Sequence, residues 1–332
     1  VTDQENNDMT GARLTGRYAT VPGQIPWPGR KAVLKRVYVA VVDAELSLRC
    51  AGVAFFSFMS LFPVMASIVL LYGLVTSRDS LKAQLQTIQP FIPVSVFEML
   101  QDRLIALLQQ PESTLGVGLV VSLVFALWSG SRGINALLVA MNRAYREKDE
   151  RGLIANALLS LGLTLGGMVF ITIALFAIAA IPVIVGGLPL PRFLESLSIW
   201  LRWPVLALMV WLTISALYRI APNRSAAKWT WITPGAALST LLWIGLSVLF
   251  SLYVENFSNY NAMFGSLSVA VVTLLWIYYS TLIIVLGAIL NSELEYQTKI
   301  DTTTGVSAPM GQRGAFVADH IAVADHIAEQ KG

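Results

Sequence analysis

From Leu153 to Val185 the chain runs 33 residues without one charged side chain. A helix over that stretch is about 50 Å long at 1.5 Å per residue. That exceeds the ~30 Å hydrocarbon core of a bilayer. A helix apolar on every side is either the core of a large protein or a membrane span. With 332 residues in all, the chain is too short to wrap several such rods in polar structure. Only 13% of its residues are Asp, Glu, Lys or Arg, against about 25% in a soluble domain. Mean hydropathy is +0.65. These values argue against a soluble enzyme, a disordered chain and a disulfide scaffold, and the single Cys50 has no internal partner. The first 20 residues lack the apolar core of a secretory signal.

Six stretches are long and apolar enough to span, at about 50–75, 115–141, 153–185, 198–218, 229–254 and 262–292. None alternates, which excludes a barrel. The predicted fold class is all-α: a polytopic membrane protein with six transmembrane helices. Residues 1–49 form an N-terminal leader with an interfacial helix, 50–292 the membrane domain and 293–332 a partly disordered tail. Lys and Arg alternate loop by loop. Seven precede the first span: Arg13, Arg17, Arg30, Lys31, Lys35, Arg36 and Arg49. Arg143, Arg146, Lys148 and Arg151 lie between spans two and three, and Arg219, Arg224 and Lys228 between spans four and five. The intervening connections are poor in positive charge, with Arg78, Lys82 and Arg103 in the first, Arg192 and Arg202 in the second and none in the third. The positive-inside rule then predicts a multi-pass protein of the bacterial inner membrane with both termini cytoplasmic.

Outside the spans, VPGQIPWPGR (Val21–Arg30) reads as an extended, turn-rich leader. A helix is expected from Lys31 to about Arg49, with Val33, Leu34, Val37, Val41 and Val42 on one side. It either lies in the interface or simply leads into the first span. Ser80–Gln110 reads as two short amphipathic helices separated by Pro90 and Pro93, on the extracytoplasmic side. Thr302–Gly314 has the composition of disorder. ADHIA occurs twice near the end, placing His320 and His326 six residues apart. That spacing does not suit a helical metal site, so a solvated tail helix is expected there.

Polar groups at membrane depth mark candidate sites. Arg132 follows Trp128-Ser129-Gly130-Ser131 and precedes Gly133. It either snorkels to headgroups or lines a polar cavity and pairs with an anionic group. Asn135 and Asn142 fall near its helical face, and Arg143 follows. Arg132, Asn135, Asn142 and Arg143 are the candidate substrate-binding residues. Ser57 and Ser60 precede Pro63, where they are expected to relieve the backbone defect. Together with Gly130, Gly133 and Gly265 they are the candidate gating or structural positions. Gly162 and Gly166 suggest helix packing. Asn259–Ser266 reads as an interfacial belt or a re-entrant turn. There is no P-loop, G-x-S-x-G, H-E-x-x-H or C-x-x-C. No catalytic residue, metal site or cofactor is predicted, and the chain reads as a non-enzyme.

Four stretches together resemble the YihY/virulence factor BrkB family of bacterial inner-membrane proteins. They are DAELSLRCAGVAFFSFMSLFP (Asp43–Pro63), LWSGSRGINALLVAMNRAY (Leu127–Tyr145) followed by Arg151, Pro234–Tyr253 with Gly235, Trp243 and Tyr253, and FGSLSVAVVTLLWIYYSTLIIVLGAILNSELE (Phe264–Glu295). The resemblance covers roughly residues 30–297, and the fourth stretch is its most specific part. Phe264-Gly265 stands where the family usually has Tyr-Gly, which removes a hydroxyl. The resemblance implies six inner-membrane spans. It also implies links to serum resistance, or to lipid or lipopolysaccharide handling in the envelope. Members have carried a ribonuclease BN label, but this sequence lacks the metal constellation and the basic surface that RNA cleavage needs.

Two functions are expected from these readings. The first is a transporter or facilitator of an amphiphilic or anionic envelope component such as a lipid. The second is a non-transporting scaffold that binds envelope protein partners through its leader and tail. Membrane lipids are the expected partners, and nucleic acid is not.

Overall fold

The computed structural model describes residues 15–75, 112–186, 192–256 and 266–322. The expected helices within 80–110, together with Gly265, His326 and most of the 259–266 belt, lie outside them. Six of the helices are long and apolar enough to cross a membrane. No strand occurs among the described residues, only an isolated antiparallel bridge between Ala227 and Thr303. Among the described residues the α-helices are, in chain order, α1 (Trp27–Val42), α2 (Ala44–Val75), α3 (Glu112–Ala144), α4 (Leu153–Gly186), α5 (Arg192–Ile220), α6 (Trp229–Asn256), α7 (Ser266–Glu295) and the short α8 (Phe316–Asp319).

The chain divides into two compact units, Phe55–Gly133 and the remainder. In the smaller unit, α2 and α3 pack antiparallel. A Cβ on Gly133 would sit 3.0 Å from Ser57 Oγ, Ser67 bonds Ser122 at 3.0 Å, and Gly118 faces Leu70. Pro63 is buried inside α2. Its missing N–H would have bonded the carbonyl of Met59. Ser60 donates instead to the Ser57 carbonyl at 2.7 Å, and Ser67 to that of Pro63 at 2.7 Å. The hydroxyls therefore bond the carbonyls beside the defect, not the one the proline frees.

In the larger unit the closest crossing is between α6 and α7. A Cβ on Gly235 would strike the Gly287 carbonyl, and one on Gly287 would strike Ser239 Oγ. Only glycine lets these backbones meet. Asn291 fastens the crossing, accepting from Gly235 N–H at 2.7 Å and donating to the Ile232 carbonyl at 2.9 Å. Tyr218 of α5 joins through Ser239 at 2.8 Å and the Ile284 carbonyl at 2.6 Å. Gly162 and Gly166, expected at a helix contact, have nothing within 4 Å of their Cβ positions among the described residues. Leu153 (91% exposed) and Leu241 (69%) show the apolar outer surface that a lipid solvent accepts and water does not.

The helix expected from Lys31 to Arg49 is two helices. Asp43 ends α1 in an extended conformation and accepts the Glu45 N–H at 3.0 Å, capping α2. The expected single apolar side of α1 also divides. Val33 and Val37 are buried, whereas Leu34, Tyr38 and Val42 form a separate exposed row.

The tail corrects the expectation of disorder over Thr302–Gly314. Asp301 accepts from Thr303 N–H and Oγ1 and from Ala308 N–H. Arg313 donates to the carbonyls of Lys299, Ala308 and Ala318. This segment is ordered by saturating its backbone polar groups, with little apolar burial, so composition gave no sign of it. At its end, His320 stacks on Phe316 at 4.2 Å beside the four-residue α8, and the rest of the expected tail helix lies outside the described residues.

Candidate functional site: the charged end of the bundle

The segments richest in Lys and Arg meet at one end of the larger unit. Leader and tail join through Thr298 Oγ1 to the Ala19 carbonyl (2.7 Å) and Lys299 N–H to the Arg17 carbonyl (2.8 Å). Arg151, after α3, donates to the carbonyls of Ala221 (2.9 Å) and Pro222 (2.8 Å) between α5 and α6. That second connection holds the tail through Lys228 N–H to Thr302 O, Thr304 N–H to Ala226 O and Ser225 N–H to Gly314 O, each 2.8 Å.

Two carboxylates at the end of α7 organise this cap. Glu293 accepts from Arg36 of α1 and from Arg146, both at 2.5 Å. Glu295 is fully buried and pairs with Arg224 at 2.7 Å, with Thr302 Oγ1 donating to it at 2.7 Å. Burial alone would lower the Arg224 pKa, but the Glu295 charge and hydrogen bond outweigh it and the guanidinium is held raised. Its plane lies 5.1 Å from the Tyr145 ring. Arg146 covers Tyr296 at 4.4 Å. Arg146 also has φ +59°, the left-handed position that glycine usually fills after a helix. Its N–H bonds Arg143 O and that of Glu147 bonds Asn142 O, closing α3 in a Schellman motif. An arginine there costs about 1–2 kcal/mol in backbone strain, and its side chain supplies the two contacts just given. Glu147 accepts the Phe316 N–H at 2.8 Å. Its pKa is raised by burial, which outweighs that hydrogen bond. Asp301 is lowered: burial pushes it up, but the Ala308 and Thr303 donors prevail.

Between the start of α2 and the ends of α3 and α7 lies a cavity of about 400 Å³. Ala40, Leu46, Ala144 and Ile289 form its apolar wall, and Asp43, Arg143, Arg146 and Glu293 its charged groups. Its size falls in the range of small-molecule sites. Arg143 stands 3.4 Å from Glu45 and 3.8 Å from Asp43. Its guanidinium makes no hydrogen bond among the described residues, whereas those of Arg36, Arg146, Arg151, Arg224 and Arg313 all do.

The four candidate binding residues have different surroundings. Arg143 lines the cavity. Asn142, one residue earlier, is buried and accepts the Asn223 N–H at 2.7 Å, locking two connections together. Asn135 accepts from Asn156 of α4 at 3.1 Å. Arg132 is exposed, lies 5.6 Å from the Trp128 ring and is absent from the cavity lining. Glu293, Glu295 and Arg36 were not singled out from sequence. The available signal was two carboxylates closing the uncharged stretch that begins at Asn256. Among the described residues no three His, Cys, Asp or Glu side chains gather into a metal-binding group.

The profile of the family described as virulence factor BrkB matches residues 37–310. A ribonuclease-like protein, YfkH, of Bacillus subtilis is 32% identical over 279 residues, covering 80% of this chain and 96% of the relative. A UPF0761 membrane protein of Idiomarina loihiensis is 29% identical over 196 residues, or 55% of this chain and 61% of the relative. One from Xanthomonas campestris is 34% identical over 182 residues, or 54% and 40%. No solved structure matches at a significant level. A profile match over most of the chain, on a fold with six helices fit to span a bilayer, makes this chain an integral membrane protein of the virulence factor BrkB family.

Proposed function

We propose that the protein binds membrane lipid in the cavity at its charged end and facilitates the movement of that lipid within the envelope. One observation carries the reading: Arg143 lines a cavity where three spans end, and its guanidinium makes no hydrogen bond among the described residues, only ion-pair contacts with Glu45 and Asp43. Pockets between spanning helices that present an arginine at the cytoplasmic edge are suited to lipid headgroups, and here Arg143 is that arginine in a lining that also holds Asp43 and Glu293. An arginine fork matches a phosphate in two-point geometry. In this reading the charged end faces the cytoplasm of a bacterial cell and the protein sits in the inner membrane, because Lys and Arg concentrate there.

Two measurements test it together. Purified protein is assayed for co-purifying lipid by mass spectrometry, and reconstituted vesicles for transbilayer movement of a fluorescent phospholipid. The wild type retains lipid and accelerates movement over protein-free vesicles, and Arg143→Ala reduces both. A wild type that neither retains lipid nor accelerates movement overturns the proposal.

A further inference from the structure

We infer that the headgroup seated at Arg143 is zwitterionic and carries a primary ammonium, as in phosphatidylethanolamine. This rests on the lipid-binding reading above and assigns its ligand class.

The inference follows from which charges are free. Glu293 is saturated by Arg36 and Arg146, so this part of the lining offers little to a ligand. Glu45 is held by Arg49 at 2.5 Å. Asp43 is different. Its Oδ1 caps α2 through the Glu45 N–H, while Oδ2 has one cation near it among the described residues, Arg143 at 3.8 Å. Arg143, which makes no hydrogen bond among the described residues, and the half-spent Asp43 carboxylate stand 3.8 Å apart in the same lining.

A phosphate that engages Arg143 takes from Asp43 its nearest cation. A purely anionic headgroup then leaves the Asp43 carboxylate beside a second negative charge at short range, a repulsion that the partial exposure of both side chains reduces without removing. A zwitterion supplies both halves of the exchange. Its phosphate accepts from Arg143, and its ammonium donates to Asp43 Oδ2. The lining also selects among ammonium types. Quaternary ammonium ligands are recognised by aromatic cages, and among the described residues no aromatic side chain lines this cavity. A primary ammonium has N–H donors for a carboxylate, and a quaternary one has none. The aliphatic wall of Ala40, Leu46, Ala144 and Ile289 suits the glycerol and the first methylenes.

The full chain is reconstituted into vesicles of equal phosphatidylethanolamine, phosphatidylcholine and phosphatidylglycerol, re-isolated in nanodiscs, and its bound lipid quantified. Wild type is enriched several-fold in phosphatidylethanolamine over the other two. Asp43→Asn keeps a helix-capping side chain, so the fold is retained. It removes the charge, and the several-fold preference for phosphatidylethanolamine over phosphatidylglycerol is lost, because the charge-assisted contact to the ammonium is gone. Enrichment of phosphatidylglycerol or phosphatidylcholine in the wild type, or an unchanged preference in Asp43→Asn, overturns the headgroup assignment while lipid binding stands. Absence of any enriched lipid overturns lipid binding itself, and the assignment with it.

Discussion

Arg224 and Glu295 form an ion pair at 2.7 Å in which neither side chain is more than 2% exposed. One comes from the connection between α5 and α6, the other from the last turn of α7. The pair therefore fixes where the loop, the helix end and the tail residue Thr302 meet. A buried pair adds modest net stability, but breaking one is costly because the remaining charge has no water. Glu295→Gln is expected to lower unfolding stability in detergent by about 3–5 kcal/mol. The double variant Arg224→Met with Glu295→Leu should lose less than either single change. Equal losses in thermal unfolding would show that the ion pair itself is not the source.

The α6–α7 crossing makes a sharper prediction. Gly287→Ala and Gly235→Ala each place a methyl where a carbonyl or hydroxyl oxygen already lies. Each should cost about 1–3 kcal/mol through overpacking. Gly162→Ala and Gly166→Ala meet open space and should stay within about 0.5 kcal/mol of wild type. Melting curves of the four purified variants decide it.

Docking of the tail should weaken as pH rises. The Glu147 carboxyl is raised above its ordinary 4.5, chiefly by burial. Its contribution to docking is complete below 4.5 and is lost as pH climbs through the raised value, because the buried charged form is disfavoured. Glu147→Gln keeps an acceptor for the Phe316 N–H and removes the charge. At neutral pH its Phe316 amide should exchange with deuterium more slowly than in wild type. Equal protection across the whole pH range would contradict this.

The orientation is open to cysteine labelling with little background, since the native Cys50 is buried. Lys148→Cys and Val306→Cys lie in exposed segments of the charged end, Val306 being 97% exposed. Both should resist an impermeant maleimide in intact cells and react after permeabilisation. Labelling of either site in intact cells would contradict a cytoplasmic cap.

Some of the candidate site was legible in the chain before folding. Arg143 was marked by a helical stripe with Arg132, Asn135 and Asn142. Arg132 and Arg143 are eleven positions apart, close to three turns, so the two share a face, but they differ in depth by about 16 Å. Spacing alone could not say which of them meets the cavity. Glu293 was legible only as the end of an apolar run. Its role depends on Arg36, 257 positions away, and sequence periodicity does not reach that far. The tail was misread for a related reason. Thr302–Gly314 has few apolar residues, and its order comes from Asp301, Arg313 and the loop at 225–228 satisfying its backbone.

The chain by itself determined its solvent: long uncharged runs leave helices in hydrocarbon as the only way to satisfy the backbone, and the spacing of arginines between them follows the same energetics. Tertiary structure alone decided which of those arginines hydrogen-bond carboxylates and carbonyls and which of them line the cavity. The reason is that pairing depends on separations of a few ångströms between segments far apart in sequence, and no local pattern encodes those distances.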